Sequence, residues 1–344
     1  MKKFICVLLG ILMMVSTLAL VSCDKQGTED TTAGEQTTAP EATETTVKFG
    51  MGVFTTVSSA TDATEDKEGQ GKVAITAAVL TVDADGKVVA CDIDTADLTV
   101  KYTFEGKAIA NDGFKTKYEL GADYNMVAYG GAAKEWFEQV DAFESVVVGK
   151  TLDEIKALVA EGNKGTDAVV SAGCTIMVAE FVSAIEKAFA NLTDSAATSA
   201  NTVKVAFDVA QSTKDAAEEV NGQNQVEATV VGAALDAQGK VVVAASDSVQ
   251  VKFTFDATGA STYDLTKAVS SKREAGANYG MVAYGGAAKE WFEQADAFNA
   301  LCVGKTAAEI AALCGADNYG TEELKAAGCT ILVNGLTKAA AKLG

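Results

Sequence analysis

MVAYGGAAKEWFEQ fills residues 126–139 and returns letter for letter at 281–294, an offset of 281 − 126 = 155 residues. The same offset carries Gly121 onto Gly276, Gly149-Lys150-Thr151 onto Gly304-Lys305-Thr306, and Gly173-Cys174-Thr175 onto Gly328-Cys329-Thr330. One domain is therefore written twice. Identity this long, in a run bearing Tyr, Gly-Gly and Trp, points to a function kept in both copies; a recent duplication would leave the same trace.

Working outward from that stretch, the hydrophobic period decides the architecture. Trp136, Val140, Phe143 and Val147 fall at i, i+4, i+7 and i+11, one face of a helix, and Trp291, Ala295, Phe298 and Cys302 repeat them. Gly149 and Gly304 follow as helix stops. Thr151 with Glu154, and Thr306 with Glu309, have the spacing of a capping box opening the next helix. Gly-Lys-Thr is thus a helix junction. A phosphate loop would need glycine at positions held by Glu144 and Asn299.

Short amphipathic pieces at 166–171 and 321–327 lead into Gly-Cys-Thr-Ile, and closing helices are expected over 178–192 and 332–343. Upstream, the period is two. Residues 73–82, 87–93 and 98–104, with a turn at Asp85-Gly86, read as an antiparallel meander with one buried face. Residues 225–235, 240–245 and 249–255 echo it, with a turn at Gln238-Gly239. Each unit is sheet first and helices after: α+β, two tandem repeated domains, each an antiparallel sheet followed by packed helices. We place the domains at 47–195 and 203–344, with a short Ser/Thr/Ala-rich linker near 194–202.

The amino terminus opens with Met1-Lys2-Lys3 and an apolar run, then Leu20-Val21-Ser22-Cys23. This is a lipoprotein signal peptide, 1–22, with Cys23 as the lipidated first mature residue; an ordinary secretion signal is the alternative. Residues 23–46, rich in Thr and Glu and holding Pro40, the sole proline, cannot bury enough apolar surface to fold and read as a flexible tether. The expected location is extracytoplasmic, anchored to the cell membrane.

The formal charge of −19 excludes nucleic acid as a partner, because phosphate binding needs basic patches. The chain has no histidine, which leaves zinc hydrolase and Ser/His triad chemistry without their usual groups and no metal site to propose. Cys6 departs with the signal and Cys23 takes lipid. Five cysteines remain, an odd number that argues against a complete disulfide framework and for reduced, partly buried thiols. No nucleophile stands beside a base at fixed spacing, so no catalytic residue is assigned and a carrier or binding role fits better than an autonomous catalyst.

The lipobox, the Thr-rich tether and tandem units carrying Tyr-Gly-Gly, then Lys-Glu-Trp-Phe-Glu-Gln-x-Asp-Ala-Phe, then Val-Gly-Lys-Thr, then a threonine after small residues, resemble the FMN-binding lipoproteins of Gram-positive extracellular electron transfer. That resemblance spans nearly the whole mature chain. It implies an electron carrier in which a flavin transferase moves FMN from FAD onto a threonine hydroxyl, as a phosphoester to Thr175 and to Thr330. The family's acceptor pattern is Asp, two residues, Ser or Thr, two small residues, Thr. Asp167, Ser171 and Thr175 supply those parts with two extra residues between acid and threonine; the second unit has Glu322 and no serine. Ser171 therefore stands as an alternative acceptor.

In this reading Tyr129/Tyr284, Met126/Met281 and Trp136/Trp291 are candidates to line the ring, although the two tryptophans also fit plain core packing. Gly130-Gly131 and Gly285-Gly286 would admit the phosphate or ribityl chain to a helix N-terminus, with Lys134 and Lys289 adding charge. Implied partners are the transferase, a membrane NADH- or quinone-linked donor, extracellular acceptors, and the membrane through its lipid anchor. The rival reading is a duplicated surface lipoprotein that binds a noncovalent small ligand or a wall component.

Overall fold

Strands come first in each repeat because β-branched and aromatic residues alternate there. The computed structural model describes residues 44–344; the signal segment, Cys6, Cys23, Pro40 and nearly all of the expected tether lie outside them. The first repeat runs β1 (Thr46–Thr61), β2 (Gly69–Val82), β3 (Val88–Tyr102), β4 (Ala108–Ile109), α1 (Lys117–Leu120), α2 (Trp136–Val147), α3 (Leu152–Lys156), α4 (Asp167–Ala172) and α5 (Ala179–Ala190). β5 (Thr193–Thr198) follows. The second repeat runs β6 (Thr202–Lys214), β7 (Gly222–Leu235), β8 (Val241–Phe255), α6 (Lys272–Ala275), α7 (Trp291–Cys302), α8 (Ala307–Ala311), α9 (Glu322–Ala326) and α10 (Asn334–Ala340). The fold is α+β with antiparallel sheets, ordered β4-β3-β2-β1-β5 and β6-β7-β8.

Several expectations are met and several corrected. The turn at Asp85-Gly86 is present: Gly86 takes φ 78 and Asp83 accepts the amides of Asp85 and Lys87. The two short strands expected after it are one continuous strand, β3. β1 and β6 were not legible as strands, since Gly50 and Gly52 interrupt the pattern in β1. Those glycines are required by packing: a Cβ on either would run into the backbone of α5 at Ala188 or Ala184. The Ser/Thr/Ala stretch expected as a linker is strand β5, paired with β1 at Lys48 and Phe49.

The expectation of one buried sheet face is also corrected, because the other repeat covers the second face. Val73, Ile75, Ala77 and Val79 of β2 point into a core shared with Val226, Ala228 and Val230 of β7 and with Phe49, Met51 and Phe207. Ala78, Leu80 and Val82 point the other way, against Trp136, Val140, Phe143 and Ile185 of the helices. Alternation along one strand thus feeds two cores, and each fully buried Val, Leu, Ile or Phe stabilises by roughly 1.5–3 kcal/mol.

The repeats meet as if about a twofold axis. Tyr102 stacks on its counterpart Phe255, ring centroids 4.2 Å apart and 8° from parallel. The Ala63 amide donates to the Gly259 carbonyl at 2.8 Å and the Ala216 amide to the Gly106 carbonyl at 2.8 Å. Lys342 pairs with Glu119 and Lys187 with Glu274, the same contact made in both directions. Residues 44–344 form one compact unit on this basis.

Candidate functional site

Each copy of the repeated stretch begins as a closed loop. Glu135, the N-cap of α2, accepts the amides of Met126 (3.0 Å) and Val127 (3.2 Å) on its two carboxylate oxygens. The Met126 carbonyl receives the Ala132 amide at 3.0 Å, and the Asn125 carbonyl receives those of Tyr129 and Gly130. Gly131 takes φ 67, and a Cβ on Gly130 would lie 2.6 Å from the Met126 carbonyl, so both glycines are demanded by loop closure. Glu290, Met281, Val282, Ala287, Gly285 and Gly286 repeat the arrangement.

The same helix holds the threonine. α4 ends at Gly173, φ 111, and the buried Cys174 anchors the turn, which leaves Thr175 exposed. Its backbone N–H and its hydroxyl both donate to Oε1 of Gln139, each at 2.9 Å, while Gln139 Nε2 donates to the Lys134 carbonyl at 3.0 Å. Gln139 is buried on α2, so its amide is a fixed fork rather than a loose surface group. Thr330, Gln294 and Lys289 make the same three bonds at 2.8, 2.9 and 3.0 Å. The Lys134 ammonium lies against Gly173, and that of Lys289 against Gly328, so closely that a Cβ on either glycine would collide with it. A cation therefore sits two residues from each threonine.

Both threonines open onto clefts. Thr175 lines one of about 550 Å³ together with Thr95, Lys117, Tyr124, Met126 and Trp136. Thr330 lines one of about 640 Å³ with Lys272, Tyr279, Met281 and Trp291. Volumes of roughly 300–1,000 Å³ are those of small-molecule and cofactor sites. Lys117 Nζ stands 5.1 Å from the Tyr124 ring centre and 5.7 Å from that of Trp136; Lys272 stands 5.2 Å and 5.4 Å from Tyr279 and Trp291. These are cation–π distances.

The candidates sort into two groups. Thr175, Thr330, Met126 and Met281 meet in the clefts, and Trp136 and Trp291 are both core residues and cleft wall, only 3% and 5% exposed. Tyr129 and Tyr284 do not line the clefts. They stand 88% and 91% exposed at the loop tips. Gly130-Gly131 and Gly285-Gly286 open onto no free helix end, because Glu135 and Glu138, like Glu290 and Glu293, already cap α2 and α7. Ser171 lies on exposed α4, outside the cleft lining.

Lys117/Lys272, Tyr124/Tyr279 and Gln139/Gln294 were not singled out from sequence. All keep the offset of 155, which was the available signal. Among the described residues no cluster of His, Cys, Asp and Glu could hold a metal, and no helix is long and apolar enough to cross a membrane. Cys174, Cys302 and Cys329 are buried thiols, with burial pushing Cys302 up to about 12. No family model, no curated protein and no solved structure matches this chain.

Proposed function

We propose that the protein is a cell-surface electron carrier that holds FMN as a phosphoester on Thr175 and on Thr330. The observation that supports this reading most is the position of the two hydroxyls. Each is exposed at a ligand-sized cleft walled by Trp, Tyr and Met, beside a lysine, and each is oriented by a buried glutamine. When bound, flavin supplies one- and two-electron chemistry; the chain binds, orients and tethers.

Loading forms one bond and breaks one. The threonine Oγ attacks the flavin-side phosphorus of FAD, the bridging P–O bond breaks, and AMP leaves. Gln139 and Gln294 accept the hydroxyl proton in a hydrogen bond, and an amide cannot take it away, so the base belongs to the transferase. After esterification the threonine N–H still donates to the same glutamine oxygen, which keeps the attachment point fixed. Lys134 and Lys289 are placed to offset the phosphodiester charge. A tethered ring keeps a high local concentration at its cleft outside the cell, where a free one is lost by dilution.

In this reading Cys23 carries the lipid anchor, a membrane NADH- or quinone-linked oxidoreductase supplies electrons, and extracellular acceptors receive them. The test is co-expression with a flavin transferase, followed by intact mass and in-gel fluorescence after denaturation. Two FMN additions, both lost in the Thr175→Ala, Thr330→Ala double variant, are expected. An unmodified mass would refute the carrier and leave a surface lipoprotein with two noncovalent ligand clefts.

A further inference from the structure

Within the identical stretch, most residues have an internal reason to stay the same. Trp136 and Gln139 are buried, Glu135 closes the loop, Met126 lines the cleft, and Gly130 and Gly131 are needed for loop geometry. Val127 and Tyr129 have none. They are 44% and 88% exposed, their copies Val282 and Tyr284 are 45% and 91% exposed, and neither tyrosine hydroxyl makes a hydrogen bond among the described residues. Solvent-facing positions nearby have drifted between the copies: Asp153 became Ala308, Lys156 became Ala311, Ala168 became Glu323, and Ser171 became Ala326. The two tyrosines have stayed alike where these positions have not.

We infer that the Val-Ala-Tyr-Gly-Gly loop of each repeat is the docking knob by which the FMN-transferring enzyme finds the threonine of that repeat. An exposed tyrosine on a loop already fixed by five hydrogen bonds loses little freedom on binding, which suits it to anchor an interface. The loop is also in register with the acceptor. Glu135, which holds the loop, is the N-cap of α2, and Gln139, which holds Thr175, lies one turn further along the same helix. A partner that seats Tyr129 is thereby held at a fixed placement relative to Thr175 by one helix, and one that seats Tyr284 likewise relative to Thr330. Such a partner presents an apolar pocket for the ring, and a basic rim would complement a chain of net charge −19. One enzyme visiting two sites needs the same handle at both, which the identity of the two loops provides.

This inference rests on flavinylation of Thr175 and Thr330, and its test keeps the two separate. The full chain is co-expressed with the transferase as wild type, Tyr129→Ala, Tyr284→Ala and Tyr129→Phe, and label at each threonine is read by peptide mass. In Tyr129→Ala the initial loading rate at Thr175 should fall about tenfold or more while Thr330 loads normally. Tyr284→Ala should show the mirror image, and Tyr129→Phe should stay near wild type. Thermal melting should be unchanged, because the side chain touches little of its own protein. Equal loading of both threonines in Tyr129→Ala overturns the inference, as does loss of label at both together. Wild-type protein that takes no label at all refutes the flavin reading itself, a different result.

Discussion

The two clefts share a frame and differ in charge. The sheet lines the second cleft with Asp208 and Glu227, whereas the matching register positions in the first repeat, Phe54 and Ala74, are uncharged and lie outside the cleft lining. Charged groups lining the Thr175 cleft are Lys117, Lys164 and Glu180, one positive in excess, and those lining the Thr330 cleft are Asp208, Glu227 and Lys272, one negative in excess. Lys117 meets its acid, Asp97, at 3.5 Å near the surface. Lys272 is buried and bonded to Glu227, which also accepts from Ser248 (3.0 Å) and Gln250 (2.9 Å). Burial alone would raise the Glu227 carboxyl, but Lys272 and these donors bring it below its ordinary value. Duplication preserved each threonine with its glutamine and let the surroundings diverge, so two equivalent hydroxyls sit in unequal fields.

The largest expected effect follows from that buried pair. Glu227→Ala strands the Lys272 ammonium in the second cleft and should cost about 3 kcal/mol, whereas Asp97→Ala in the first should cost less than about 1 kcal/mol. Urea denaturation of the two variants measures both; equal losses would erase the distinction.

Behind the clefts the contrast reverses, with the acids in the first repeat. Asp92, Asp94, Asp141 and Glu144 cluster there, while the second repeat has Ala245 and Asn299 at two of these positions and Arg273 in place of Tyr118. Burial raises Asp92 to about 6 and Asp94 to about 7, and burial together with the neighbouring carboxylates raises Glu144 to about 9. A raised acid supports the fold while protonated, and that support is lost as pH rises through its folded value. Stability should therefore fall as pH rises from about 4, where the unfolded carboxyls titrate, to about 9. Asp92→Ala with Glu144→Asn, copying the second repeat, should flatten that slope in thermal melts across the range; an unchanged slope would show that these acids do not cause it.

A smaller effect should appear in loaded protein. Adding negative charge is opposed by Asp208 and Glu227, so the site at Thr330 should titrate at lower potential than that at Thr175. A separation on the order of 30 mV would be a tenfold difference for a two-electron couple. Spectroelectrochemical titration of the two single-threonine variants measures it, and Glu227→Gln should narrow the gap. Coincident potentials would mean that the lining charges do not reach the ring.

Local pattern made the helices of each repeat readable. Trp136 to Val147 lies on one stripe, and the Thr151/Glu154 and Thr306/Glu309 capping boxes are present as spaced. β1 was not readable, because Gly50 and Gly52, which look like breaks in a strand, are there to let α5 approach it. Tyr129 and Trp136 show the same limit at the site. Their types suggested ring contacts for both, yet one stands in solvent and the other lines the cleft from the core. Whether an aromatic faces ligand or water depends on where a loop closes, and Glu135 decides that from nine residues away.

The chain by itself determined that one α+β unit occurs twice, where its main helices run, and that the same threonine follows Gly-Cys in both, since these rest on short-range periodicity and on identity at a constant offset. Only the tertiary structure decided that the two sheets share a core, that Gln139 and Gln294 fix the threonines from the neighbouring helix, and that one cleft is lined by excess positive charge and the other by excess negative. Those features come from contacts between segments far apart in sequence, where packing and burial set what each side chain meets.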